Sequence, residues 1–155
     1  MAQVVAAILA AVLASFTGGG AAERAIERGI RSRLGQVKSL AVHVDRGHRS
    51  PFSRTITVIK IDLGGFNADS LSGQPIKTGA RRPYAKIGRL VIHARDFSAG
   101  GLEFESMNLT ITGIRFSLFK ALLRGQLALG GLGGGTVSVA LTEASLNRFA
   151  SPKIT

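Results

Sequence analysis

Cysteine and tryptophan are absent from this chain of 155 residues, and tyrosine occurs once, at Tyr84. Without cysteine there is no disulfide, no zinc–thiolate centre and no thiol nucleophile, an absence that fits any compartment. Eight Phe are almost the whole aromatic stock, whereas proteins that grip single-stranded nucleic acid stack its bases on exposed aromatic platforms. Acidic residues are also scarce: 9 Asp and Glu stand against 20 Lys and Arg, a net charge of +11. That imbalance favours an acidic partner, be it nucleic acid, anionic lipid or an acidic glycan. Long apolar runs are few. Val4–Phe16, "VVAAILAAVLASF", falls short of the roughly 20 residues a membrane-spanning helix needs.

The chain is long enough for one domain with a real core. Apolar residues make up 45% of it, and the mean hydropathy is positive, +0.25. A basic and apolar chain points toward lipid more than toward nucleic acid. The run Val4–Phe16 suits the core of a signal peptide or an anchor, with small residues at Ala14 and Ser15 for cleavage. No basic residue precedes it, so a buried helix is the other reading. Residues 1–20 are therefore expected to be a signal or anchor segment, and residues 21–155 the domain.

Periodicity predicts a helix over 21–34. Ala22, Ile26, Ile30 and Leu34 recur every four residues, a narrow apolar stripe. Glu23 and Glu27 lie near its start and Arg31 and Arg33 near its end, as the helix dipole prefers. Gly35 is a plausible stop. Strands follow. Leu40, Val42 and Val44 alternate onto one face, and so do Ile59, Ile61 and Leu63. Ile56 and Val58 break that alternation, which predicts either a bulge or a strand apolar on both sides. Leu90 and Ile92 oppose Val91 and His93. Met107, Leu109 and Ile111 share a face until Gly113 interrupts the pattern before Ile114 and Phe116. "SLFKALLRG" from Ser117 reads as a short helix, "GQLALGGLGGGTVSVAL" as two strands around a glycine-rich turn, and Thr142 as the cap of a last helix, "EASLNRF". The stretch 73–82 reads as a surface loop carrying Lys77, Arg81 and Arg82.

No catalytic or cofactor signature survives inspection. "FTGGGAAER" lacks the spacing of a dinucleotide fingerprint and places Glu23 where a pyrophosphate would sit. "GGLGGGTVSV" lacks the Lys-Ser/Thr of a phosphate-binding loop. His43, His48 and His93 form no helical metal-binding pair. Glu103 and Glu105 share a strand face, whereas paired catalytic carboxylates usually come from separate elements. No serine stands in a nucleophile elbow. The expectation is a protein without enzymatic activity, cofactor or metal.

The basic residues remain. Arg24, Arg28, Arg31 and Arg33 surround the first helix, and Lys77, Arg81, Arg82, Lys86, Arg89 and Arg95 form the densest later stretch. They are either a solvated surface or a face for anionic headgroups. Duplex recognition needs side chains that read base edges, and the first helix offers only Gln36 beside it.

Three segments together resemble the LmeA family of phospholipid-binding proteins of bacterial envelopes: "AAERAIERGIRSRLGQVKSLAVHV", "IRFSLFKALLRGQL" and "VSVALTEASLNRF". The match spans about residues 21–150, and Thr142–Asn147 ("TEASLN") is its most specific part. The resemblance implies an exported, membrane-associated protein that binds phospholipid without chemistry. It implies an α+β fold in which an N-terminal helix packs on a strongly curved antiparallel sheet, as in tubular lipid-binding domains, which agrees with the residues' own reading as basic and apolar on both strand faces. Ile59, Ile61, Leu90, Ile92, Leu109 and Ile111 are the candidate lining of a lipid groove, or else plain core. Arg24, Arg28, Arg31, Arg81 and Arg82 are the candidates for contact with headgroups or a membrane surface. The partner expected is anionic phospholipid, the location the cell envelope or periplasm. The rival reading is a basic structural or nucleic-acid-binding module acting through surface charge. Because the family's domain continues past the corresponding last helix, further strands are expected beyond Thr155, with exposed Ile, Leu or Phe on the concave face and at least one open edge.

Overall fold

A computed structural model describes residues 22–45, 55–68, 77–78, 84–117, 128–131 and 133–150. The apolar run Val4–Phe16, Arg81, Arg82, His48 and the segment after Ser117 expected to be helical lie outside the described residues; Ser117 itself ends a strand.

Helix α1 covers Ala22–Leu34. Ile26, Ile30 and Leu34 are buried, each contributing roughly 1.5–3 kcal/mol by leaving water. Gly35, at φ 71°, donates its N–H to the Arg31 carbonyl, which ends the helix in the left-handed conformation glycine adopts without strain. The chain then turns back into β1 (Ser39–Asp45). The two are tied at their far end, where the Val44 N–H donates to Glu23 Oε1 at 3.1 Å.

The remaining strands are β2 (Thr55–Asn67), β3 (Lys77–Thr78), β4 (Tyr84–Ala99), β5 (Leu102–Ser117), β6 (Ala128–Gly131) and β7 (Gly134–Leu141). Helix α2 (Glu143–Ala150) follows β7. The strands form one sheet in the order β1-β2-β4-β5, after which β6 and β7 both pair with the far side of β5, and β3 lies outside β6.

The sheet is mixed, which corrects the antiparallel expectation. β1–β2, β4–β5, β5–β6 and β5–β7 are antiparallel, but β2 runs parallel to β4 and β3 parallel to β6. Alternation tells which face a residue takes, not which way its neighbour runs. Residues 69–83 make the return between β2 and β4, long enough for the crossover that parallel strands require. The loop expected over 73–82 also contains Lys77–Thr78, a short strand against Ala128–Leu129. The two strands expected around the glycine turn exist, but each pairs with β5 rather than with the other.

Two levels across the sheet break the alternation in concert. In β2, β4 and β5 the middle buried residues step by two: Ile59, Ile61, Leu63; Leu90, Ile92, Ala94; Met107, Leu109, Ile111. At one end each strand then takes a step of three, reaching Ile56, Ile87 and Ile114. The residues passed over include Thr57, Gly88 and Gly113, none of which is a registered partner. At the other end a second step of three leads to Phe66, Phe97 and Phe104, across Gly65, Asp96 and Glu105. All belong to one core cluster with the α1 residues. The irregularity predicted near Val58 is thus one member of a row, and Ile56 points into the same core as Ile59. The register between β2, β4 and β5 survives both levels because each strand skips at the same height. On the far side of β5 the register does slip, against β7 at Glu105 and against β6 between Arg115 and Phe116.

The opposite face of the middle section is polar. It carries Lys60, Asp62, Arg89, His93, Asn108, Thr110 and Thr112, exposed or half-buried, with His93 Nδ1 hydrogen-bonded to Asn108 Oδ1. Strands apolar on both faces, as the residue pattern alone predicts, are not what this section shows. Val58 and Val91 are its half-buried aliphatic exceptions among the described residues.

Candidate functional site

The six residues expected to line a groove lie in one register-matched block. Ile59 pairs with Leu90 and Ile61 with Ile92; Leu90 pairs with Ile111 and Ile92 with Leu109. They point to one side because register and parity agree across three strands. Ile59, Ile61, Leu90 and Ile92 are fully buried, while Leu109 and Ile111 are 9% exposed. The block therefore lies within the core and loosens toward β5.

The next strand outward completes the trend. Val137 pairs with Leu109 and Val139 with Met107, so both valines continue the apolar face, yet they are 62% and 45% exposed. Toward β1 the same face carries Leu40, Val42 and Val44, partly buried against the core that α1 shares. One apolar surface thus runs from a covered side at α1 and β1 to an uncovered side at β7. The sequence displays these valines in "TVSVAL", but only the pairing of β7 reveals that they extend the core face.

Of the headgroup candidates, Arg24, Arg28 and Arg31 are exposed on α1. Arg31 Nη1 donates to the Val37 carbonyl at 3.4 Å, and Arg33 Nη1 to the Gly29 carbonyl at 3.1 Å. Arg24 and Arg28 flank Ile26 and Ile30 in sequence but take the outer side of the helix. On the polar sheet face, Lys86 stands directly opposite Arg115, both exposed. Like charges so placed repel and favour an anion nearby.

A second feature was not anticipated. Phe66, Phe97 and Phe104 stack across three strands, with ring centroids 5.0 and 4.9 Å apart and planes within 3° and 8°. Beside this ladder opens a cleft of about 520 Å³, lined also by Lys38, Asn67, Asp96, Ser98, Glu103 and Thr142. The start of α2 holds one wall. Thr142 Oγ1 accepts the Ser145 N–H, as the capping expectation had it. The buried Ser145 Oγ accepts the Glu103 N–H at 2.8 Å. Phe97 and Phe104 lie at equal distances from the Gly100–Gly101 turn, a symmetry in the sequence that could have paired them. Phe66 had no such signal, because it joins the ladder through the parallel strand.

His43 Nδ1 lies 3.9 Å from Glu23 Oε1, both well exposed. Among the described residues no three His, Asp or Glu gather as metal ligands, and no helix is long and apolar enough to cross a membrane. No family model matches the chain, and no curated protein or solved structure matches it either.

Proposed function

We propose that this protein binds phospholipid, or the surface of an anionic membrane, at the bacterial cell envelope without an enzymatic step. The observation that carries the reading is the apolar sheet face that emerges uncovered at Val137 and Val139 on a chain of net charge +11. Acyl chains lie against such a surface through the hydrophobic effect, and basic residues beside it hold anionic headgroups. The block from Ile59 to Ile111 is the buried extension of that face, and the exposed Arg24, Arg28 and Arg31 on α1, at the covered side of the sheet, are the candidates for headgroup charge. Two aligned levels of irregular pairing support a strongly curved sheet, since bulges bend and twist the strands that contain them. With α1 against it, that gives the tubular-lipid-binding-like arrangement implied by the resemblance to the LmeA family. Export through the apolar run Val4–Phe16 belongs to the same reading.

The opposed Lys86 and Arg115 support a second reading, a polyanion such as nucleic acid held on the polar face through charge alone. Native mass spectrometry of the purified protein separates the two. Co-purified phospholipid is expected. Tight duplex binding with a steep salt dependence and no retained lipid would sink the lipid reading.

A further inference from the structure

The two sides of the sheet end differently. β1 is backed by α1, has a backbone N–H capped by Glu23 and carries His43 and Asp45. β7 has none of this. Gly134 to Val139 are all exposed, and among the described residues β7 pairs only with β5. No charged residue occurs between Arg124 and Glu143, and no proline either. Proteins normally blunt a free strand edge with charge, proline or a covering element, because its unpaired N–H and C=O groups recruit another strand. An edge left bare in a chain this rich in Lys and Arg is an edge that something covers.

We propose that it pairs antiparallel with β7 of a second copy of this chain, joining two sheets about a two-fold axis through Ser138. In an isologous contact residue i of one copy meets residue j of the other and j meets i, so any charge on β7 would occur twice in the interface. β7 has none. A register centred on Ser138 sets Val137 of one copy beside Val139 of the other, twice, with Thr136 beside Ala140 and Gly135 beside the bulky Leu141. A slip by one residue would turn the valines of one copy toward the polar face of the other. Centring on Val137 instead would leave each Val139 opposite a glycine. In the Ser138-centred pair, four valines form one apolar strip that continues both core faces. The pairing uses the edge of β7 and leaves its faces open, so it holds whether or not lipid lies on the valines.

The chain's lack of cysteine permits a direct test on the full-length protein. Ser138→Cys, mildly oxidised, should form a disulfide-linked dimer, whereas Asn147→Cys on α2 should not. Sedimentation velocity from about 1 µM to about 1 mM, the range open to a small interface, should show the mass doubling and going no further. Val137→Lys with Val139→Lys should remain a single copy with unchanged circular dichroism, and Val137→Thr with Val139→Thr should still dimerise. A chain that stays single throughout that range overturns the proposal. So does a dimer that survives the lysine pair and does not cross-link through Ser138→Cys, or association that continues beyond two copies.

Discussion

Gly88 and Gly113 occupy the same level of the sheet for different steric reasons. A Cβ on Gly88 would meet the Thr57 carbonyl oxygen at 2.6 Å, a backbone atom that cannot swing aside. Gly113 sits at φ 63°, where an L side chain is strained. Gly88→Ala should therefore lower stability by about 2–3 kcal/mol, read from the urea midpoint. A loss under about 0.5 kcal/mol would mean that β2 and β4 are not in contact there. Asp96 is the exception at the other level, a non-glycine residue at φ 51°. Aspartate tolerates that conformation better than most, yet Asp96→Gly should keep or raise stability by up to about 1 kcal/mol, while Asp96→Val should lower it by about 2 kcal/mol. Equal effects of the two substitutions would contradict the left-handed backbone at this position.

At the scale of elements, α2 depends on one side chain. Ser145 is fully buried, and its Oγ is the acceptor for the Glu103 N–H; Thr142 also donates its own N–H to the Glu103 carbonyl. Ser145→Ala strands the part-buried Glu103 N–H, which costs about 1 kcal/mol. Thr142→Ala removes the N-cap, typically about 1 kcal/mol. Both should show in chemical denaturation, and hydrogen exchange should localise the first to the Glu103 amide. Unchanged protection of that amide in Ser145→Ala would show that α2 is not docked through it. The helix caps were legible because a cap is a local pattern: Gly35 follows Leu34, and Thr142 precedes Glu143. The docking of α2 onto Glu103 was not, because its partners stand 42 residues apart.

For the molecule as a whole, charge and apolar surface act together. Arg24 and Arg28 are exposed, so Arg24→Gln with Arg28→Gln should leave stability within about 0.5 kcal/mol. Each basic residue near an anionic surface contributes about 1 kcal/mol. The pair should therefore weaken binding to phosphatidylglycerol vesicles by about 30-fold at low salt, measured by co-sedimentation. Raising the salt to about 0.5 M should erase most of that difference, because exposed charges are screened beyond a few ångströms. Vesicle affinity that ignores both the substitutions and the salt would remove α1 from the membrane contact.

What the chain declares locally and what it leaves to assembly divide along a physical line. Helix periodicity, strand alternation, caps and the breaks near Val58 and at Gly113 depend on neighbours a few residues away, and all could be read from residue order. So could the excess of positive charge and the grouping of Ile59, Ile61, Leu90, Ile92, Leu109 and Ile111 as one apolar class. Strand direction and order could not, since the same alternation serves a parallel or an antiparallel neighbour. Only pairing over long separations made β2 parallel to β4, aligned the irregular steps of three strands at two heights and brought Phe66 onto Phe97. The same pairing decided that, within one continuous apolar face, Ile61 and Ile92 are buried while Val137 and Val139 meet solvent, because exposure belongs to a residue's place in the sheet and not to its type.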